Sequence, residues 1–188
     1  MVDEDEIQGL LAEFREKAEP LGVTVIRVGS QADVAPAVVD WANSLGAETV
    51  LVSTEVTHQV PAIAGALKTS GLRVAPSTSP EATRDAPLGL SLGRLAVAET
   101  GSVLLSEQSL DDRSVGMLTL AHVTICPTNA LVASLDDAVP LLRQLALATG
   151  SALSTLVTGP SRTADIERVL TVGVQGPGKV MTLFVDDL

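Results

Sequence analysis

The chain has 188 residues, of which 46% are hydrophobic and only 2% aromatic, so it can bury a core built from small aliphatic side chains. Its formal net charge is −11, from 12 basic and 23 acidic residues, which argues against nucleic acid or an anionic membrane surface as a partner. The single cysteine, Cys126, excludes an internal disulfide and a cysteine-ligated zinc or iron–sulfur cluster.

The length suggests one domain spanning residues 1–188. The sequence contains no basic-then-apolar leader and no apolar run near the roughly 18 residues of a membrane helix. We therefore expect a cytoplasmic location.

The first part of the chain alternates helical and strand patterns. The expected elements are a helix at residues 3–19, a strand at Val23–Val28, a helix at Ala32–Leu45, a strand at Thr49–Val52, a helix at Thr57–Lys68 and a strand at Leu72–Ala75. This alternation predicts parallel strands in a layered sheet.

The second part is richer in strand patterns. After a loop at Pro76–Asp85 with a helical turn at Glu81–Arg84, we expect strands at Leu92–Ala98 and Ser102–Ser106, a loop at Glu107–Ser114, a strand at Met117–Cys126, a helix at Asp136–Leu147, a buried strand at Leu153–Val157, a helix at Thr163–Leu170 and a last strand at Val180–Val185. Together the elements predict an α/β protein, a three-layer α/β/α sandwich with a largely parallel sheet.

The segment from Thr155 to Glu167 is the first candidate site. A strand, the turn at Gly159 and a helix N-terminus would bring several backbone N–H groups to one place, which favours an anion. Arg162 could grip a carboxylate or phosphate with two hydrogen bonds, and Ser161 and Thr163 add hydroxyls. The alternative is that the hydroxyls only cap the helix, and that Arg162 pairs with Asp165 or Glu167.

Glu99 and His122 are the candidate catalytic residues. Glu99 ends an apolar run, where burial could raise its pKa and make it an acid or base. Alternatively, it is a structural residue that hydrogen-bonds the backbone. His122 shares a predicted strand face with Thr124 and Cys126, and it is either a proton-transfer residue or a half-buried structural histidine.

Several common sites are not supported. The chain has no G-x-S-x-G elbow, no helical pair of histidines for zinc, and no glycine-rich nucleotide loop. We therefore predict no metal site.

Four motifs carry a resemblance to a known family. They are LSLGRLAVAETGSVLL, the step L-A-H-V, ASLDDAVPLL, and the C-terminal stretch STLVTGPSRTADIERVLTVGVQGPGKV. In order and spacing they resemble the lactate-utilisation (LUD) domain family, specifically its lactate-utilisation protein C group. One departure is visible, because Gln175 stands where family members commonly have a histidine before Gly-Pro.

The resemblance implies a fold similar to sugar-phosphate isomerases, coenzyme A transferases and formyltetrahydrofolate cyclo-ligase. It also implies a role in oxidising L-lactate to pyruvate beside a cysteine-rich redox subunit and an iron–sulfur protein. No cofactor is expected on this chain, since the iron–sulfur clusters would lie on those partners.

Three functions follow as hypotheses. The first is a non-redox subunit or accessory protein of a lactate-oxidising system that binds a small carboxylate or phosphate ligand. The second is a stand-alone isomerase- or transferase-type enzyme using Glu99, and the third is an assembly or regulatory module with a vestigial pocket. The predicted ligand-binding residues are Thr100, Gly101, Ser102, Gly159, Ser161, Arg162, Thr163, Asp165 and Gln175.

Overall fold

The structure, a computed structural model, describes residues 3–76, 79–149, 153–163 and 170–188. Its first elements are α1 (Glu4–Ala18), β1 (Val23–Val28), α2 (Val34–Leu45), β2 (Thr49–Val52), α3 (Thr54–Gln59), α4 (Ile63–Thr69) and β3 (Arg73–Pro76). The predicted order is confirmed, but the single helix predicted at Thr57–Lys68 is wrong. Two helices flank Pro61, because a proline disfavours the helical conformation of the residue before it, and Val60 has φ −124° and ψ 72°.

The remaining elements follow from Pro80 onward. They are α5 (Pro80–Thr83), β4 (Leu88–Leu92), β5 (Leu95–Val97), β6 (Ser102–Leu105), α6 (Leu110–Leu118), β7 (Ala121–Pro127), β8 (Leu131–Val132), α7 (Leu135–Thr149), β9 (Thr155–Val157), β10 (Arg162–Thr163), β11 (Thr171–Val172) and β12 (Lys179–Val185). No helix in this described part of the chain combines the length and apolarity needed to cross a bilayer.

Two sequence predictions in the middle of the chain are wrong. The strand predicted at Leu92–Ala98 is divided, since β4 ends at Leu92 and β5, in another sheet, begins at Leu95. The segment predicted as a loop at Glu107–Ser114 contains the start of α6, and β7 consequently begins at Ala121 instead of Met117. Ser109 is the N-cap of α6, and its Oγ accepts a hydrogen bond from Asp112 N at 3.0 Å.

The C-terminal segment also differs from its prediction. β9 is a short strand with an exposed face, and the side chain of Leu156 is 43% exposed, so the strand predicted at Leu153–Val157 is not buried. Most of the helix predicted at Thr163–Leu170 lies outside the described residues, which omit 164–169. Thr163 itself lies in β10 and pairs antiparallel with Thr171 of β11.

The central sheet has six strands in the order β1-β12-β7-β4-β2-β3, and every pairing in it is parallel. Its register aligns His122 of β7 with Gly89 of β4 and with Val180 of β12. A second sheet has the order β8-β5-β6-β9 and mixes parallel and antiparallel pairs. The predicted α/β class with a largely parallel central sheet is confirmed.

Apolar side chains cover both faces of the central sheet. One face packs on α2, α3 and α4 through a cluster that includes Val38, Ile63, Leu90 and Leu183. The other packs on α1 and the second sheet, where the rings of Phe14 and Phe184 meet edge to face with centroids 5.1 Å apart. The outer face of the second sheet packs on α7, so helices lie on both sides of the sheets.

The helix α6 lies very close to strand β4. A Cβ placed on Gly89 would come within 2.7 Å of Val115 Cγ1 and 2.9 Å of Thr119 Cγ2. Both partners are β-branched residues of the helix or its end, so they cannot turn away easily. The absence of a side chain at this position therefore sets how deeply α6 sits on the sheet.

We predict that Gly89→Ala destabilises the protein by about 1–3 kcal/mol, because the added methyl overpacks this contact. The matched control is Gly9→Ala in α1, where a Cβ meets nothing within 4 Å. That change should stabilise the protein by up to about 1 kcal/mol through helix propensity. Urea unfolding of both variants measures the difference, and equal effects would contradict the packing described here.

Candidate functional site

A cleft with a volume of about 850 Å³ lies among the described residues. Three walls form it: the end of α6 at Gly116–Leu120, the stretch Leu156–Gly159 with Ser161, and the turn Gly173–Pro177. Arg84 and Asp85 complete its rim. We call this the signature cleft, because two of its walls come from the C-terminal motif.

Backbone hydrogen bonds hold the walls of the signature cleft together. Ser161 N donates to Pro177 O at 2.9 Å, and Gly173 N donates to Ser161 O at 2.9 Å. Gly178 N donates to Leu120 O at 3.0 Å, which ties the same turn to the segment after α6. The cleft is thus framed by main-chain contacts, which do not depend on the identity of the lining side chains.

Three of the predicted ligand-binding residues line the signature cleft: Gly159, Ser161 and Gln175. Arg162 and Thr163 are not among the described lining residues. The guanidinium of Arg162 instead donates from Nη2 to Leu21 O at 2.5 Å, which ties the segment to the turn after α1. Asp165 lies outside the described residues.

None of the residues Glu99–Ser102 is among the described lining residues of this cleft, although Ser102 contacts the lining residue Thr158. Glu99 is exposed, and its Oε1 accepts a hydrogen bond from Leu135 N at 2.7 Å, at the start of α7. Gly101 has φ 63°, and a Cβ there would come within 2.8 Å of Ala18 N in α1.

Ser102 Oγ lies 2.6 Å from Thr158 Oγ1 and thereby joins β6 to the residue after β9. Thr100 is half-buried, and its Oγ1 has no partner among the described residues.

A smaller recess of about 90 Å³ adjoins the signature cleft, with which it shares Gly116, Met117 and Val157. The described residues that line it are Leu105, Glu107, Arg113, Gly116, Met117, Leu153, Thr155 and Val157. Most are apolar, so the two charged members, Glu107 and Arg113, stand out. We call this pocket the Glu107 recess.

Glu107 is a buried carboxyl group with a raised pKa. It is 5% exposed, and burial raises its pKa to about 7. The hydroxyl of Ser91 favours the carboxylate, whereas the nearby acids Asp112 and Glu55 raise the pKa further and Arg94 opposes them. The group therefore exchanges its proton near neutral pH, as a general acid or base must.

His122 lies behind the wall that separates the cleft from the sheet. It is fully buried, and neither ring nitrogen has a hydrogen-bond partner among the described residues. Burial lowers its pKa to about 4, so the ring is neutral at physiological pH. A Cβ on Gly116 would lie 3.5 Å from His122 Nε2, which places the ring directly beneath this cleft-lining glycine. Its catalytic role stays a prediction.

The described residues contain no group of three or more His, Cys, Asp or Glu side chains placed to hold a metal ion. Cys126 is fully buried as a free thiol, and burial raises its pKa to about 12. The ionisable side chains among the described lining residues are Glu107 and Arg113 in the recess, and Arg84 and Asp85 in the signature cleft.

Glu107, Arg113 and Arg84 were missed as site residues by the sequence analysis. Their position follows from α6, which places Arg113 in the recess, and from the end of β6, which buries Glu107. A signal was present: Ser109-Leu-Asp-Asp112 has the same letters as Ser134-Leu-Asp-Asp137, which was read as a helix start.

Fold and site together define an α/β protein with a parallel central sheet and a cleft beside a buried carboxyl group. The sequence identifies the family of this protein, because the family model of the LUD domain matches residues 11–185. The chain belongs to the LUD domain family.

Curated relatives and one solved structure agree with this placement. The chain is 37% identical over 106 residues to "Lactate utilization protein C" of Shouchella clausii, covering 54% of this chain and 45% of that one. It is 34% identical over 105 residues to the Bacillus subtilis protein of the same name, covering 54% of this chain and 43% of that one. These matches span about half the length of each relative.

The same fold occurs in the crystal structure of a DUF162 family protein from Deinococcus radiodurans. The TM-score is 0.69 at 20% sequence identity, and the match covers 95% of this chain and 98% of that chain.

The raised pKa of Glu107 predicts how the stability of the protein depends on pH. Its folded pKa of about 7 lies above the ordinary value of 4.5, so between these values the folded chain holds more protons than the unfolded chain. Stability therefore falls as the pH rises through this window, by about 3 kcal/mol in total. Glu107→Gln should remove this loss and be the more stable protein at about pH 8, with the difference vanishing toward about pH 4.5.

Urea unfolding across this pH range tests the prediction. Glu13→Gln is the control, because Glu13 is exposed on α1. A stability difference between wild type and Glu107→Gln that stays constant with pH would show that Glu107 titrates as an ordinary surface acid.

Proposed function

We propose that this chain is a non-redox component of an L-lactate oxidation system, and that it binds a small carboxylate or phosphate ligand in the signature cleft. Membership of the LUD domain family and the names of the relatives support the first part. The observation that carries the second part is the cleft itself, in which Arg84 shares the lining with Ser161 and Gln175. A guanidinium and polar groups around one cleft suit a small anion.

The redox work is assigned to other proteins. The buried thiol of Cys126 is held protonated, and a cluster ligand has to be a thiolate. Electrons would therefore pass through a cysteine-rich redox subunit and an iron–sulfur protein, with this chain contributing a binding site.

The apolar part of the signature cleft supports contact with such partners. Several of the large apolar side chains in its lining are exposed, among them Met117 at 62%, Leu120 at 54% and Val174 at 47%. Neighbouring exposed apolar groups mark protein–protein contact sites.

Ligand binding is tested by thermal unfolding with L-lactate, pyruvate and phosphate. A ligand at about 100 times its Kd should raise Tm by roughly 5–10 °C. We expect Arg84→Gln to abolish this shift and Arg162→Gln to keep it, because Arg162 donates to Leu21 O. The reverse pattern would move the anion site to the Arg162 segment, and no shift with any of the anions would refute the proposal.

Partner binding is tested by co-expressing the tagged chain with the two redox proteins. We expect both to co-purify with wild type, and Leu120→Glu to reduce recovery by about tenfold or more, since it places a charge in an apolar contact. The control is Leu147→Glu on α7, where the leucine is 76% exposed and outside the described cleft lining. Equal loss in both variants, or no co-purification with wild type, would count against this surface as the contact.

A further inference from the structure

The Glu107 recess is a chemically distinct end of the ligand site. Its volume of about 90 Å³ holds several water molecules, because one water needs about 10–15 Å³ by this measure. That space suits a ligand of a few heavy atoms. It opens beside the signature cleft, with which it shares Gly116, Met117 and Val157.

Glu107 lines this recess, and one oxygen of its carboxyl group is unpaired among the described residues. Its Oε1 is buried and has no hydrogen-bond partner among the described residues, although the side chain is only 5% exposed. Burying a polar oxygen without a hydrogen-bond partner costs free energy. An unpaired oxygen in a residue that lines a pocket therefore indicates that a ligand supplies the missing hydrogen-bond partner.

The other lining residues narrow the chemistry of that ligand. Arg113 offers a guanidinium, of which Nε is used in a hydrogen bond to Ser109 O at 3.2 Å. The remaining nitrogens of the fork suit a carboxylate. Leu105, Leu153 and Val157 form apolar walls that suit a short aliphatic group. One carboxylate, one oxygen beside it and a small alkyl group together describe a short 2-hydroxy or 2-keto acid.

We propose that the Glu107 recess binds a short 2-oxygenated acid with its carboxylate at Arg113 and its 2-oxygen at Glu107, and that the protonation state of Glu107 selects between the hydroxy acid and the keto acid. This assignment rests on the proposed function and adds to it the class of ligand and the residue that discriminates.

The selection follows from hydrogen-bond direction. Ionised Glu107 only accepts hydrogen bonds, so it pairs with the hydroxyl of a hydroxy acid. Protonated Glu107 donates its O–H and pairs with the carbonyl oxygen of a keto acid. No covalent bond forms or breaks in either case. A buried polar group left without a matching partner lowers affinity strongly, so ionised Glu107 rejects the keto acid, which has no donor at its 2-oxygen. The protonated form both donates and accepts, so it can pair with either acid.

The charges around Glu107 permit both forms near neutral pH. Asp112 of α6 and Glu55 of α3 favour the protonated form, as burial does, and Arg94, which follows β4, favours the ionised form. Arg113 lines the same recess, and Ser91 of β4 favours the ionised form. His122 of β7 is neutral in this range, because burial holds its pKa at about 4. The pKa of about 7 at Glu107 therefore places the change inside the physiological range.

Calorimetric titration with L-lactate and with pyruvate at about pH 6 and about pH 8 tests the proposal. Between these values the protonated fraction of Glu107, which is the form that can bind pyruvate, falls roughly tenfold, so the affinity ratio of lactate to pyruvate should rise by up to about tenfold. In Glu107→Gln the ratio should not change with pH, because an amide both donates and accepts. Arg113→Gln should weaken both acids while keeping the pH dependence of their ratio, and Glu13→Gln should behave as wild type.

The outcomes separate this inference from the proposed function. A ratio that is independent of pH in wild type, or an equal pH dependence in Glu107→Gln, overturns the role of Glu107 while leaving anion binding intact. If neither acid binds but phosphate still stabilises the protein through Arg84, the recess assignment is overturned and the anion site stands. If none of the three anions binds, both proposals fail. The variant Glu107→Gln is expected to fold, because the substitution removes a buried charge.

Discussion

The parallel central sheet requires cover on both faces, and the way in which α6 provides it determines where a ligand can bind. Parallel strands that are buried on two sides cannot leave their faces in water. At β4 the cover is α6, which approaches so closely that Gly89 has no room for a side chain. The last turn of this helix then forms the floor of the signature cleft and one wall of the Glu107 recess. One close helix–strand contact thus positions both parts of the site.

The face under α6 and the second sheet is unusually polar for a protein core. Ser91, His122, Thr124 and Thr182 are all at most 2% exposed there. Several of their polar atoms have no partner among the described residues, including Ser91 Oγ and both nitrogens of His122. Such atoms lower stability and are few in ordinary cores. Their concentration beside the recess fits a site whose polar groups are kept for a ligand.

The fold was largely predictable, because the periodic spacing of apolar residues along the sequence indicates helices and strands. The helix–strand alternation of the first part gave the correct element order, and β1 and β2 were predicted with the bounds that the structure has. The errors have local causes. Pro61 interrupts a continuous apolar stripe, and Leu153–Val157 has the composition of a buried strand although it lies at the edge of the second sheet. Apolar composition does not reveal which strand ends at an edge.

The candidate site was predictable only in part, for a different reason. Ser161 and Gln175 were found because they lie in a recognisable motif, but a buried carboxyl such as Glu107 has no local signature. The recess that it lines is completed by residues far away in sequence, including Leu153 and Val157. The four letters Ser-Leu-Asp-Asp occur twice, and only the second occurrence was followed by an apolar stripe strong enough to indicate a helix.

The motif and the reactive groups therefore have different roles. Gly176, with φ 129°, and the backbone bonds of Ser161 shape two walls of the signature cleft. They are needed whatever ligand is bound, so a family motif in this segment identifies the frame of the site. Three ionisable lining residues, Arg84, Arg113 and Glu107, come from segments outside that motif. Changes at these positions would alter the charge of the lining while leaving the frame intact, so these positions, more than the motif, are where specificity should be sought.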